Sequence, residues 1–389
     1  MSETPLTTQP AHAADAAPSS RLELADLGWR EPFASAFQAL SDLGDIVPGR
    51  VVLQQRGRYN VATDGGEISA ELENRFRKAA PSAADLPCVG DWVAIRKSAA
   101  AGGLATICAL LPRLTKFSRR AAGPEHAEQV LAANVDTIFI AMGLDGDFNL
   151  RRLERYLTVA WASGGQPVVL LTKADLCAPD DIAARIAAVE AIAPNVAIVT
   201  TSVLSHEGTE DGTGDGTGAG TRAVDAFLGR GKTIALLGSS GVGKSTLVNA
   251  LLQQEVLRTS EVRASDSRGR HTTTQRQLFR VRGGALVIDT PGIRELQLWN
   301  ASAGLEVSFA DVDSVAAGCR FRDCLHGNEP GCAVVAAIAR GDLPAERTAS
   351  YKKLLGEQNA STGNAATEAG RRNTRVDTAA RPTARRKRR

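Results

Sequence analysis

Aromatic residues are scarce in this chain: they make up 4% of its 389 residues, beside a hydrophobic content of 43% that still allows sizeable cores. Long apolar runs are missing. No stretch of 18 apolar residues occurs, so no membrane-spanning helix is expected. Residues 1–20, rich in Ala, Thr and Pro, lack the basic start and apolar stretch of a secretory signal, and are expected to be disordered. Cysteine is also sparse. Of the six, three fall between 319 and 332, which suits a metal site in a reducing compartment, by default the cytoplasm, better than a disulfide framework. A chain of this length accommodates two or three domains.

Positive charge, by contrast, is concentrated. The net charge is +3, yet residues 371–389 hold nine Lys or Arg against one acid, Asp377, giving +8 and leaving −5 for the other 370 residues. A basic tail on an acidic body attracts a polyanion, RNA foremost. A solvated tail with no partner would have the same composition.

The most constraining stretch is Gly238-Ser239-Ser240-Gly241-Val242-Gly243-Lys244-Ser245-Thr246, an ungapped G-x-x-x-x-G-K-[ST]. An apolar strand over 233–237 precedes it and a helix starting at 247–252 comes after it, the context that the motif requires. Its glycines let backbone N–H groups and a helix N-terminus wrap phosphate oxygens. Lys244 is then placed to bridge the β- and γ-phosphates, and Ser245 to hold Mg²⁺. Forty-five residues on, Asp289-Thr290-Pro291-Gly292 ends the strand 285–289. Asp289 can hold Mg²⁺ through water and Gly292 can donate an N–H to a γ-phosphate.

Thr172-Lys173-Ala174-Asp175, after the strand 167–171, resembles the N-K-x-D guanine motif, with Thr172 where asparagine is usual. Asp175 would accept from guanine N1 and the exocyclic amine, and Lys173 would lie along the base. Thr201 and Ser202, after the strand 196–200, fit the weaker motif whose N–H groups meet the guanine oxygen. These base-reading motifs precede the phosphate motifs, the reverse of Ras-like GTPases, and the segment after Gly292 runs directly into the C-terminal region. Arg268-Gly269-Arg270-His271-Thr272-Thr273-Thr274 lies between the two phosphate motifs. Either Thr272 or Thr273 can reach Mg²⁺ when the third phosphate is present. Ile293 stands where Ras-like proteins carry the water-orienting glutamine, so His271 becomes the candidate for that role.

Cys319-x4-Cys324-x-His326-x5-Cys332 supplies three thiolates and one imidazole, a closed tetrahedral set typical of structural zinc. Upstream, a short helix is expected over 32–40, and five short strands over 50–54, 58–62, 67–72, 91–95 and 105–111 suggest a small barrel of the OB type, an SH3-like barrel giving a similar pattern. A basic strand is expected next, over 116–120. From 137 onward strands alternate with helices over 150–162 and 180–192, the pattern of an α/β sheet covered on both faces. Residues 207–221 read as a flexible insertion.

Taken with Leu86-Pro87-Cys88-Val89-Gly90-Asp91-Trp92-Val93, Phe117-Ser118-Arg119 and Ala132-Ala133-Asn134-Val135-Asp136, these motifs resemble the circularly permuted GTPases of ribosome assembly, specifically the ribosome small subunit-dependent GTPase A family (RsgA/YjeQ-type), over about residues 47–355. The resemblance implies an N-terminal OB-fold, a central permuted α/β phosphate-loop GTPase and a small C-terminal α-helical zinc domain. It also implies binding to the 30S subunit late in assembly and GTP hydrolysis stimulated by that subunit. The expected layout is a disordered leader with a short helix (1–46), OB-fold (47–122), GTPase (123–300), zinc domain (301–360) and basic disordered tail (361–389). Zn²⁺, Mg²⁺ with GTP, 16S rRNA and other assembly factors are the expected cofactors and partners of a cytoplasmic monomer without membrane contact. A non-hydrolysing, nucleotide-gated RNA-binding scaffold is the alternative. An ATP-using kinase is disfavoured by Asp175.

Overall fold

A computed structural model of the chain describes residues 23–55, 57–100, 102–121, 127–202, 221–252, 276–289, 299, 301–327 and 329–360. The expected loop 268–274, Gly292, the insertion at 207–220 and the basic tail lie outside the described residues. Residues 23–46, expected from the sequence to belong to a disordered leader, instead pack against the barrel. A 3-10 turn, Leu24–Leu27, leads into α1 (Glu31–Gln38), whose first turn accepts Pro32 because proline fits there. Leu27 and Phe33 are buried, and the rings of Trp29 and Phe33 lie 4.7 and 5.8 Å from that of Trp92. Apolar burial of this kind outweighs the chain entropy that would keep the segment loose.

Five strands close the barrel: β1 (Val47–Gln55), β2 (Arg58–Thr63), β3 (Gly66–Leu72), β4 (Trp92–Arg96) and β5 (Ala105–Leu110), with helix α2 (Asn74–Ala79) after β3. The order β1-β2-β3-β5-β4 returns to β1 through β4, and β3 with β5 is the one parallel pair among them. Val51, Val61, Val93, Ile95 and Ile107 fill the interior, aliphatic packing in keeping with the low aromatic content.

β6 (Lys116–Arg120) pairs with β7 (Glu128–Ala133), a strand absent from the sequence-based expectation. The central sheet comes next: β8 (Thr137–Gly143), α3 (Leu150–Ser163), β9 (Gln166–Thr172), α4 (Pro179–Ile192), β10 (Ala197–Thr201), β11 (Thr233–Gly238), α5 (Lys244–Leu252), β12 (Gln277–Arg280) and β13 (Leu286–Asp289). Its order is β10-β9-β8-β11-β13-β12, parallel except for β12. Alternate residues of β8 serve opposite faces: Ile138 and Ile140 pack with Leu153 and Leu157 of α3, while Phe139 packs with Leu247 and Leu251 of α5. Burial on both faces explains the near-continuous apolar runs. β12 also pairs with β1, Leu53 opposite Gln277, so barrel and central sheet form one eleven-stranded sheet.

The stretches around Gly90 and Asn134 build a joint between leader, barrel and sheet. Arg50, 1% exposed, donates to the carbonyls of Leu27, Gly90 (3.1 Å) and Asn134 (3.0 Å). Burial pushes its guanidinium down to about 10. Asn134 returns a bond to the Gly90 carbonyl (3.1 Å), and Gly90 itself has φ +93° with space for no Cβ, which would lie 2.1 Å from the Ala133 oxygen. Asp91 ties the same turn by accepting from the Cys88 N–H and from Arg113 (2.8 and 2.7 Å).

Helices α6 (Ser302–Ser308), α7 (Ala310–Ala316), α8 (Ala333–Arg340) and α9 (345–360) complete the chain's described part. α6 crosses α3 at Gly304, where a Cβ would meet the Thr158 oxygen at 2.0 Å. Arg347 on α9 bridges Glu154 of α3 (3.1 Å) and Asp311 of α7 (2.5 and 2.7 Å). Arg155 of α3 makes a two-bond fork with Glu357 (2.7 and 2.6 Å). Among the described residues, no helix is long and apolar enough to cross a membrane.

Candidate functional site: the carboxyl edge of the parallel sheet and a cysteine knuckle

Parallel strands leave their carboxyl ends open to a ligand, and the phosphate loop lies at the end of β11, between β8 and β13. Gly238 (φ +150°), Gly241 (+75°) and Gly243 (+100°) take conformations that side chains rarely adopt, which turns the loop back on itself. Val242 anchors the loop with its buried side chain, whereas Ser240 and Gly241 are exposed. Lys244, Ser245 and Thr246 form the first turn of α5, where the helix dipole favours an anion. The Lys244 ammonium folds over its own loop, donating to the carbonyls of Gly238 (2.8 Å) and Ser239 (2.5 Å).

The residues expected to read the base arrive from β9 and β10. Thr172, buried at the end of β9, donates its hydroxyl to the Val242 carbonyl at 2.8 Å. This bond joins the loop expected to read the base to the loop expected to take the phosphates. Lys173 is held at φ +61° and pairs with Asp145 at 2.6 Å. The hydrogen bond from Lys173 keeps the Asp145 carboxyl below its ordinary value. Asp175 is exposed and accepts from the Ser202 hydroxyl, which fixes one of its oxygens. Thr201, fully buried, ends β10 opposite Thr172. Asp289 ends β13, the neighbour of β11. His271, Thr272, Thr273, Gly292 and Ile293 lie outside the described residues.

Sequence reasoning missed two residues at this edge. Asp145 and Asp147 occupy the β8–α3 loop, and Asp147 accepts from the Ser239 hydroxyl at 2.5 Å. The run Asp145-Gly146-Asp147 between an apolar strand and a helix was the available signal.

The second constellation is built by short turns. His326 adopts φ +55°, Glu329 accepts from the N–H groups of Leu325 (3.0 Å) and Gly327 (2.6 Å), and Cys332 caps α8. The four ligand atoms of Cys319, Cys324, His326 and Cys332 all lie within 4.8 Å of one another. Cys319 Sγ is 3.6 Å from His326 Nδ1 and 3.9 Å from Cys332 Sγ, and Cys332 Sγ is 3.7 Å from the same nitrogen. A tetrahedral ion bound at roughly 2.0–2.3 Å spaces its ligands about 3.5–3.8 Å apart, so the set fits one metal ion. Burial also pushes His326 down, favouring the neutral ring that coordination needs.

A G-x-x-x-x-G-K-[ST] loop between strand and helix, an aspartate ending the neighbouring strand and the Thr172–Asp175 loop bonded to the first are the arrangement of a phosphate-loop GTPase, here with β9 and β10 ahead of the G-x-x-x-x-G-K-[ST] loop in the chain. Residues 110–299 match the RsgA GTPase family. The chain is 47% identical over 345 residues to the small ribosomal subunit biogenesis GTPase RsgA of Opitutus terrae, covering 87% of this chain and 90% of that protein. It is 45% identical over 309 residues to RsgA 2 of Lactiplantibacillus plantarum, covering 79% and 82%. The crystal structure of YjeQ from Thermotoga maritima superposes with a TM-score of 0.56 at 25% identity, over 80% of this chain and 99% of that one. YloQ, a circularly permuted GTPase, shares the fold with a TM-score of 0.54 at 24% identity, over 81% of this chain and 95% of that one. The chain belongs to the RsgA GTPase family.

Proposed function

We propose that this chain is a GTP hydrolase of small ribosomal subunit biogenesis. It binds the 30S subunit with GTP in place, assists late maturation of 16S rRNA, and leaves after hydrolysis. The observation that supports this reading best is the Thr172–Val242 bond, which ties the loop we assign to guanine to the loop we assign to the phosphates. Within it, Asp175 reads the base, oriented by Ser202, while Thr172, Lys173 and Thr201 line its approach. The loop from Gly238 to Thr246 takes the phosphates. Ser245 and Asp289 would hold Mg²⁺, which would supply positive charge against the charge that develops on the phosphates. Gly292 would contact the third phosphate, Thr272 or Thr273 would be a further ligand of Mg²⁺, and His271 would orient water in place of a glutamine.

Zinc is the metal that three thiolates and an imidazole favour, and a closed set of four protein ligands gives it a structural role. The barrel's strand order, with β3 parallel to β5, supports the OB type and hence an RNA-facing surface on the N-terminal side of a cytoplasmic monomer. We take the boundaries near 47, 123, 301 and 361 as those of barrel, GTPase, zinc module and tail. Completing a GTPase site in trans is worth roughly 10³–10⁵ in rate. The test is GTP turnover by the purified chain with and without 30S subunits: slow alone and strongly stimulated by the subunit is expected. Turnover unaffected by the subunit would remove its role as activator, and no turnover under either condition would leave the non-hydrolysing scaffold as the better reading.

A further inference from the structure

The β8–α3 loop belongs to none of the nucleotide motifs, yet it grips both halves of the pocket. Asp145 holds Lys173 (2.6 Å) and Asp147 holds Ser239 (2.5 Å). The Asp147 N–H donates to Asp145 Oδ1 (3.0 Å), so the two act as one brace. The brace matters most when nucleotide enters. Lys244 must then leave the carbonyls of Gly238 and Ser239 for the phosphates, and the Asp147 carboxylate still holds Ser239 by its hydroxyl.

A carboxylate bonded to a phosphate loop poses an electrostatic problem. It repels the incoming polyanion, and it repels a triphosphate more than a diphosphate because the triphosphate carries more charge. Arg152, in the first turn of α3, stands where that repulsion is cancelled. Its Nη2 lies 2.7 Å from Asp147 Oδ1 and also donates to the Asp147 carbonyl, and the two side chains are only 29% and 24% exposed. Its backbone is fixed by the helix cap, for the Arg152 N–H donates to Asn149 Oδ1 at 3.0 Å.

We propose that Arg152 is a positioning residue of the nucleotide site: by neutralising Asp147 it lets a carboxylate clamp the phosphate loop through Ser239 without repelling the third phosphate. The inference rests on the reading of this loop as a GTP site. It makes the pair a setting for the balance between GTP and GDP rather than for nucleotide affinity as such. It also carries an opposite sign for its two members, which a merely structural role would not.

The experiment measures dissociation constants for GTP and GDP on the full chain at low ionic strength, for wild type, Asp147→Asn, Arg152→Gln and the double variant. Arg152→Gln exposes the carboxylate and is expected to shift the affinity ratio toward GDP by about three- to tenfold, within the coupling range of contacting pairs. Asp147→Asn leaves the guanidinium uncompensated and shifts the ratio toward GTP. The double variant returns it to within about twofold of wild type, and added salt shrinks both single shifts. Equal and additive losses for both nucleotides would overturn the proposal. So would an unchanged ratio in Asp147→Asn, a variant that keeps the side chain's shape and an acceptor for Ser239 and so remains readable should Arg152→Gln fold poorly. A wild-type chain that binds neither nucleotide would overturn the underlying site reading, which separates that failure from this one.

Discussion

Thr172 shows how one atom can stand in for a larger group. An asparagine amide offers more hydrogen bonds than a hydroxyl, but the bond needed here is a single donor aimed at the Val242 carbonyl, and threonine supplies it at 2.8 Å. Thr172→Val keeps the shape and orphans that carbonyl at a cost of about 1–3 kcal/mol. The loop must then be ordered by the ligand itself. We expect roughly tenfold weaker GTP binding in a titration with fluorescent nucleotide. Asp175→Asn exchanges an acceptor for a donor opposite the base, so competition binding should show preference moving from guanine toward xanthine nucleotides; retained guanine selectivity would place base reading elsewhere. At this scale the strand–loop–helix context of Gly238–Thr246 and the gathering of Cys319, Cys324, His326 and Cys332 were legible in the sequence because each depends on residues at short, local spacing. Asp145 and Asp147 were not. Their roles depend on which loop the sheet order places beside β11, and that is a tertiary fact.

α3 is the element on which the molecule turns. Its N-terminus carries the Asn149 cap and Arg152 beside the phosphate loop, and its outer face receives α6 at Gly304 and α9 at Arg347. Gly304→Ala forces a methyl against the Thr158 carbonyl, and overpacking of this kind costs about 1–3 kcal/mol. A drop of several degrees in Tm is expected by calorimetry, with the far-ultraviolet spectrum preserved. Strand and helix positions were largely readable, since β8, β9 and β11 are apolar on both faces and α3 has a clear cap and a terminating Gly164 at φ +84°. β7 escaped notice although Gly123-Pro124 in the sequence signals a turn before it, because Glu128-Gln129-Val130-Leu131-Ala132-Ala133 is poor in the β-branched and aromatic residues that favour strands. The leader's helix was expected, but its docking was not, because the buried aromatic surface it meets comes from Trp92, more than fifty residues away.

Two modules outside the nucleotide pocket give tests of the whole molecule. Removing the metal with a strong chelator should melt the cysteine knuckle and loosen α8, since a structural ion supplies folding energy directly. Metal analysis is expected to find one ion per chain, lost together with a low-temperature unfolding step in differential scanning. Truncation after Gly370 removes +8 of charge and should weaken binding to 30S subunits at low salt while leaving the high-salt affinity close to that of the full chain. A loss independent of salt would identify the tail as a shaped docking surface instead.

The pairing of Leu53 with Gln277 has a further consequence. β12 comes directly after the threonine-rich loop and is bonded on one edge to β13 and on the other to β1. Hydrogen-bonded strands slide or tilt together, with no slack of the kind that a tether between separate bodies would absorb. Any displacement of β12 is therefore felt at the barrel wall as well as along β13, so the end of the parallel sheet and the barrel cannot shift independently.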